Sequence, residues 1–129
     1  NWEAFILWAE ARADAIEAGS CAGSIDRYDE ARSLRPLARL FALERARCLR
    51  ELGRLDEAGG EMDWLLARWP GVQEVQVEAA RLAAARGDTA EALGYLDGAL
   101  ATWAEADSEF RPAREARALR AEIAGSGLQ

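Results

Sequence analysis

The sequence predicts an all-α chain of about seven helices, and three observations carry that prediction. First, the stretch Gly53–Pro70, GRLDEAGGEMDWLLARWP, is answered by Gly87–Ala104, GDTAEALGYLDGALATWA. Gly53 and Gly87 stand 34 residues apart, and the same offset pairs Glu57 with Glu91, Ala58 with Ala92, Leu66 with Leu100 and Trp69 with Trp103. One step back from Gly53 lands on Gly19, and one step back from Pro70 lands on Pro36. A fixed period of this size marks a stacked array of helix hairpins. Second, Ala, Leu, Arg and Glu dominate while β-branched residues are scarce, which favours helix throughout. Third, apolar residues recur at three- and four-residue spacing, the interval of one helix face.

The totals limit what the chain can be. Its 129 residues allow one domain, and 50% hydrophobic content with 30% charge is globular, not disordered. A net charge of −7 argues against a nucleic-acid partner, whose phosphates need a basic surface. No apolar run approaches the ~20 residues that span a bilayer, and no signal peptide is visible. All 16 basic residues are Arg, which reads as the composition of a GC-rich bacterial genome. The chain opens on Asn1 and not Met, as expected of an excerpt from a longer protein. Nothing fixes a compartment, with the cytoplasm favoured over the periplasm.

In the 34-residue frame three repeats run 5–38, 39–72 and 73–106, each two antiparallel helices, and a closing helix follows at 108–124. The first helix, about 3–18, turns Leu7, Trp8, Ala11, Ala15 and Ala18 inward, and Gly19 ends it. The second turns Ile25, Tyr28, Ala31 and Leu34 inward until Pro36 stops it, with Gly23 and Ser24 weakening its start. In repeat two Phe41, Cys48, Leu49 and Leu52 line one helix, then Ala58, Met62, Leu65, Leu66 and Trp69 the other, and Pro70-Gly71 breaks it. In repeat three the faces are Val75, Ala79, Leu82 and Ala83, then Ala92, Leu96, Ala99, Leu100 and Trp103. Asp88 followed by Glu91 is an Asp form of the capping box. The closing helix carries Phe110, Ala113, Ala116, Leu119 and Ile123 on one side, with Arg111, Arg114, Arg117 and Arg120 between them. The tail from Gly125 to Gln129 is expected to fray. Ala46 with Ala58, and Ala80 with Ala92, are small residues where paired helices should cross closely.

With these residues in place the chain resembles the tetratricopeptide repeat family. Trp8, Tyr28, Ala31 and Pro36 match that motif in repeat one, Ala46, Ala58, Met62 and Pro70 in repeat two, and Ala80, Ala92, Leu96 and Ala99 in repeat three. The resemblance covers 5–106 and implies a right-handed superhelix of helix hairpins. It has departures. Arg12 stands where the family wants a small residue facing Ser24, Asp14 and Arg45 lean inward, and Leu65 replaces a small residue. Gly60, Gly94 and Gly98 lie inside helices, each costing about 1 kcal/mol relative to Ala. The inward charges need partners, so Asp14 is expected to meet Arg45 or another Arg.

What the resemblance implies for function is peptide binding in a concave groove lined by the first helix of each repeat. The matching positions are Ile6, Ala9, Ala13 and Ile16, then Leu40, Leu43, Arg47 and Arg50, then Glu74, Val77, Arg81 and Ala84. An apolar floor with arginines suits a peptide bearing an apolar side chain and a carboxylate, which Arg grips bidentately. The plainer reading pairs Glu44 with Arg47 and Glu78 with Arg81 along one helix, each pair worth about 0.2–0.5 kcal/mol. One subgroup of the family clamps a chaperone's terminal carboxylate with Lys and Asn. Here those positions hold Ala9, Ala13, Glu44, Glu74 and Glu78, so that clamp is absent.

Catalysis finds little support. The chain has no His, the common general base, and a catalytic Cys would lack its usual partner. Glu10, Glu44 and Glu78 repeat every 34 residues, but without His the ladder reads as a solvated face and not a metal site. No cofactor is implied. Cys48 sits on a buried stripe and Cys21 in a turn, and two thiols are favoured over a bridge between them. Trp8, Trp69 and Trp103 recur as packing residues, whereas Trp2, Phe5 and Ile6 form an apolar patch suited to a partner or a second copy. The expectation is a non-catalytic protein-interaction scaffold. The alternatives are a homo-oligomerisation module and a regulatory appendage of a larger bacterial protein.

Overall fold

Seven α-helices form among the described residues of the computed structural model, which are 2–127. They are α1 (Trp2–Ala18), α2 (Ile25–Leu34), α3 (Arg39–Glu51), α4 (Leu55–Arg68), α5 (Gln73–Ala85), α6 (Thr89–Thr102) and α7 (Arg111–Gly127), and no strand occurs among those residues. The all-α prediction and its helix number therefore hold. None of these helices is long and apolar enough to cross a membrane.

Three of the helices end in the same way. Gly19, Gly53 and Gly87 take φ of 71°, 77° and 81°. In each case the next N–H reaches back over the last turn: Ser20 to the Ala15 carbonyl at 3.1 Å, Arg54 to Leu49 at 2.9 Å and Asp88 to Ala83 at 2.9 Å. This is the Schellman arrangement, which satisfies carbonyls that a helix end would otherwise leave open. The helix ends before proline also fall as expected: α2 stops at Leu34 ahead of Pro36, and α4 at Arg68 ahead of Pro70. Asp88 caps α6 by accepting the Glu91 N–H at 3.0 Å. The reciprocal half of the capping box does not form, because the Asp88 N–H is already given to Ala83.

The first hairpin departs from the other two. By the 34-residue offset α2 should open near residue 21, as α4 opens at Leu55 and α6 at Thr89, yet it opens at Ile25. Cys21 to Ser24 form a turn in place of the first helical turn, closed by the Ser24 N–H on the Cys21 carbonyl at 2.8 Å. Ser24 then donates its hydroxyl to the Ala11 carbonyl at 2.7 Å. A hydroxyl reaches a helix carbonyl only where no bulky side chain covers it, so Ala11 meets Ser24 and the Arg12 side chain is 41% exposed. This corrects the expectation that Arg12 faces Ser24. It also turns the face of α1, leaving Glu10 exposed while Glu44 and Glu78 at the same offset are covered.

The chain packs as two units, Asn1–Leu65 and Leu66–Gln129. In the first, α1 packs on α2 and α2 on α3. Ala4, Ala31 and Phe41 form a core cluster with Leu7, Trp8 and Ala38 against it. Tyr28, Ala46, Leu49, Ala58, Met62 and Leu65 are buried as well. In the second, α6 packs on both α5 and α7. Ala80, Ala83, Ala92, Leu96, Ala116 and Ile123 form its core, with Val77, Leu100 and Trp103 half-buried around it. The anticipated small pairs, Ala46 with Ala58 and Ala80 with Ala92, are all fully covered. Leu65, not Leu66, is the wholly buried leucine of the pair in α4, and Leu34 and Ala18 are exposed.

The closing helix begins at Arg111 rather than 108. Asp107 accepts the Glu109 N–H at 2.8 Å on its side chain and the Phe110 N–H at 2.9 Å on its carbonyl, so a turn occupies those residues and Phe110 lies outside the helix. Pro112 then falls in the first helical turn, where its missing N–H costs nothing. The tail expected to fray from Gly125 is helical to Gly127, and residues 128 and 129 lie outside the described ones.

The glycines supply a test with opposite signs. A Cβ at Gly87, with φ of 81°, is strained, so Gly87→Ala is expected to destabilise the chain by about 1–2 kcal/mol. Gly94 sits inside α6 with nothing within 4 Å of where a Cβ would stand, so Gly94→Ala is expected to stabilise it by about 0.5–1 kcal/mol. Thermal melting of the two variants checks both signs.

Candidate functional site

The turn that replaces the start of α2 leaves a cleft beside it. The cleft has a volume of about 240 Å³ and is lined by Arg12, Ala15 and Ile16 of α1, Gly19 to Cys21 of the turn, Tyr28 of α2, and Glu44, Arg47, Cys48 and Glu51 of α3. Cys21 and Cys48 are joined by a disulfide, with Cα atoms 5.8 Å apart. This corrects the expectation of two thiols. Cys48 does lie on the buried stripe, but the turn folds Cys21 in beside it, and the two are 5% and 2% exposed.

Charges crowd the cleft. Arg12 Nη1 donates to Glu44 Oε2 at 3.1 Å, and the Arg12 guanidinium also lies 6.0 Å from the Trp8 ring centre. Arg47 Nε donates to Glu51 Oε1 at 3.2 Å, with its Nη1 4.0 Å from Glu44. Arg50 approaches Glu51 at 3.9 Å. Tyr28 is 1% exposed, and the Glu44 carboxylate is its nearest charged neighbour. Burial pushes the Tyr28 phenol up to about 12, with the Glu44 carboxylate adding to the rise and Arg12 and Arg47 opposing it. It therefore stays a neutral O–H donor at any physiological pH.

A second charged cluster ties α2, α3 and α4 together. Glu61 is 6% exposed. Arg32 Nε and Nη2 both donate to its Oε1, at 3.0 and 2.9 Å, and Arg45 Nη1 donates to its Oε2 at 2.8 Å. Arg45 Nε donates to Asp29 at 2.6 Å, and Arg32 lies over the Trp64 ring at 4.2 Å. Burial works against the Arg45 guanidinium, but the bonds to Asp29 and Glu61 outweigh it and hold its pKa above the usual value. The inward charges noted in the sequence are thus all partnered: Arg12 with Glu44, Asp14 with Arg27 at 2.7 Å, and Arg45 with Asp29 and Glu61. Every lone pair of interest at Glu61 is spoken for, so the cluster reads as structural.

The groove positions scatter between exposed and half-buried. In the first unit Ile6 and Ala13 are exposed and Ala9 half-buried on α1; on α3 Leu40 is exposed and Leu43 half-buried. The Arg47 side chain is 49% exposed and that of Arg50 18%. In the second unit Glu74 is exposed and Arg81 half-buried on α5, while Val77 leans on the core cluster. Glu44 approaches Arg47, at the weak distance of 4.0 Å. Of all these positions the cleft takes in Ile16 and Arg47. Sequence reasoning passed over Tyr28 as packing and missed Glu51. The one signal that pointed here was Arg12, a long cation where a small residue was due. Among the described residues no group of three His, Cys, Asp or Glu side chains is placed to hold a metal.

Two variants probe these clusters. Glu61→Gln leaves two guanidinium groups facing a neutral amide, and is expected to cost on the order of 3 kcal/mol in chemical denaturation. Glu57→Gln breaks only an exposed pair with Arg54 and is expected to cost under about 1 kcal/mol. Opening the disulfide, which spans 27 residues, by Cys21→Ser with Cys48→Ser is expected to cost about 3–4 kcal/mol, read from the same melts.

No protein-family model matches the chain, and no curated protein matches it.

Proposed function

We propose that the chain is a non-catalytic interaction module of the tetratricopeptide kind, binding a peptide or protein segment on the faces of α1 and α3 in the first unit. The observation that carries this reading is apolar exposure on those helices. Ile6 is 51%, Ile16 69% and Leu40 46% exposed, although α1 and α3 already bury another face in the core. Side chains of this size gain nothing from water, and a bound segment would cover them. The three glycine caps at 34-residue intervals support the family resemblance. The arginines at 47 and 50 favour a segment carrying acidic as well as apolar groups. The buried disulfide favours an oxidising compartment over the cytoplasm, since reduced surroundings keep such thiols apart.

A second reading has its own observation. Trp2 is 79%, Phe5 46% and Ile6 51% exposed, and Trp2 stacks edge-on against Phe5 at 6.3 Å, so α1 offers an apolar patch that a second copy would cover. Light scattering separates the readings. A monomer whose mass is unchanged by Trp2→Ser, Phe5→Ser and Ile6→Ser together removes the self-association reading.

Binding itself is tested by selecting random displayed peptides on the chain and titrating the best of them by calorimetry. Leu40→Ser and Arg47→Glu are each expected to weaken it by about tenfold or more, near 1.4 kcal/mol, with circular dichroism unchanged. Equal affinity for all three proteins places the site elsewhere, and a selection without binders argues against an interaction module.

A further inference from the structure

Six of the eight large apolar side chains left exposed among the described residues gather at one end of the first unit. They are Trp2, Phe5 and Ile6 at the start of α1, Leu34 at the end of α2, Leu37 in the loop and Leu40 at the start of α3. These segments meet because α1 and α3 both pack against α2 and share the cluster of Ala4, Ala31 and Phe41 at that end. An aromatic ladder runs inward from the tip: Trp2 to Phe5 at 6.3 Å, Phe5 to Trp8 at 5.4 Å and Trp8 to Phe41 at 6.2 Å. Trp2 and Leu37 are 79% and 75% exposed, so they protrude. Charge follows the same boundary. From Ala31 to Leu43 the sequence carries no acid, its longest such run, and it places Arg32, Arg35 and Arg39 there. Arg32 is held by Glu61, but Arg35 and Arg39 are exposed among the leucines. Glu3 offsets one of them, so this end is mildly positive on a chain of net charge −7. The loop backbone is also largely closed. The Arg35 N–H goes to the Ala31 carbonyl at 3.1 Å and the Ala38 N–H to the Arg35 carbonyl at 3.0 Å. Arg32 Nη1 donates to the Pro36 carbonyl, and Pro36 has no N–H to satisfy. Few peptide groups here lose a partner on meeting an apolar phase.

We infer that this end of the first unit docks on an anionic phospholipid surface, with Trp2 and Leu37 set into the acyl boundary and Arg35 and Arg39 at the phosphates. Protruding side chains need matching pockets on a folded partner, whereas a fluid interface accepts each one separately. Trp favours the level of the headgroups, and Arg adds attraction to anionic lipid. The acidic remainder of the chain does not forbid this contact, because physiological salt damps charges beyond about 8 Å. Docking of this kind requires no helix to cross the bilayer. The inference does not rest on the peptide reading. Ile6 and Leu40 are common to both, but Leu34, Leu37 and Arg35 belong to this end alone, and a second copy would compete with lipid for Trp2 and Phe5.

Flotation with vesicles of equal parts phosphatidylglycerol and phosphatidylcholine, beside vesicles of phosphatidylcholine alone, tests this. The chain is expected to float with the first and to partition about fivefold or more weakly into the second. Leu37→Ser and Trp2→Ser are each expected to weaken partitioning into the anionic vesicles about tenfold or more. Arg35→Gln combined with Arg39→Gln is expected to weaken it about fivefold or more. Circular dichroism is expected to stay unchanged, since all four side chains are exposed. At saturating lipid, acyl chains carrying bromine are expected to quench the tryptophan emission of the wild type and far less that of Trp2→Ser, because Trp8, Trp64, Trp69 and Trp103 are half-buried. No flotation with the anionic vesicles, equal flotation with both, or wild-type partitioning in every variant overturns the assignment. So does a dimer, seen by light scattering, that Leu37→Ser dissolves, since a second copy then occupies this end. Selected peptides that lose affinity in Leu37→Ser also overturn it, because a protein segment is then what this end receives.

Discussion

Helices α1, α3 and α5 end because glycine accepts a positive φ that side chains forbid. Once the chain turns left-handed at Gly19, Gly53 and Gly87, the following N–H groups point back along the helix and close its open carbonyls. The reversal is then fixed to the residue. Everything built on the hairpins inherits that precision: which alanines meet where helices cross, which face of each helix is covered, and which side chains are left over. The second constraint, proline at 36 and 70, closes the partner helices, and α3 and α5 accordingly begin at Arg39 and Gln73, again 34 apart.

The first hairpin keeps the period while changing its contents. α2 has 10 residues where α4 and α6 have 14, and the four missing ones are the turn Cys21 to Ser24. Because loop gains what helix loses, α3 starts in register and the irregularity stays local. Within it, Ser24 takes the Ala11 carbonyl, α1 turns its face, and Arg12 is free to reach Glu44. The disulfide pins the turn to α3. A cleft appears where a regular hairpin would have a helical turn, with Tyr28 in its lining.

Most of the helix boundaries were legible because they rest on single residues with one dominant conformational preference, glycine and proline. Buried stripes were legible where a helix packs by its own periodicity, as in α5 and α6. What the sequence hid depends on two distant segments at once. Glu61 looks like a surface residue of α4, and only the arrival of Arg32 and Arg45 from two other helices makes its burial tolerable. Cys21 looks exposed until the loss of one helical turn folds it inward. Leu65 and Leu66 are equally apolar neighbours, and a small rotation of α4 decides which is buried. The groove positions were chosen by offset, and offset does not register the turned face of α1. The cleft shows in the sequence only through Arg12, a long cation where the pattern calls for a small residue.

The guanidinium–carboxylate pairs have a chemical consequence of their own. Every cationic side chain in them is Arg, and the chain contains neither Lys nor His. Acetyl transfer, Schiff-base formation and other side-chain amine chemistry have no residue to act on. Histidine protonation, the usual source of charge change near neutrality, is also missing. The positive charge set against Glu44 and Glu61 therefore rests on guanidinium groups alone. It offers no side-chain amine to acylating enzymes and no imidazole to protonate near neutrality.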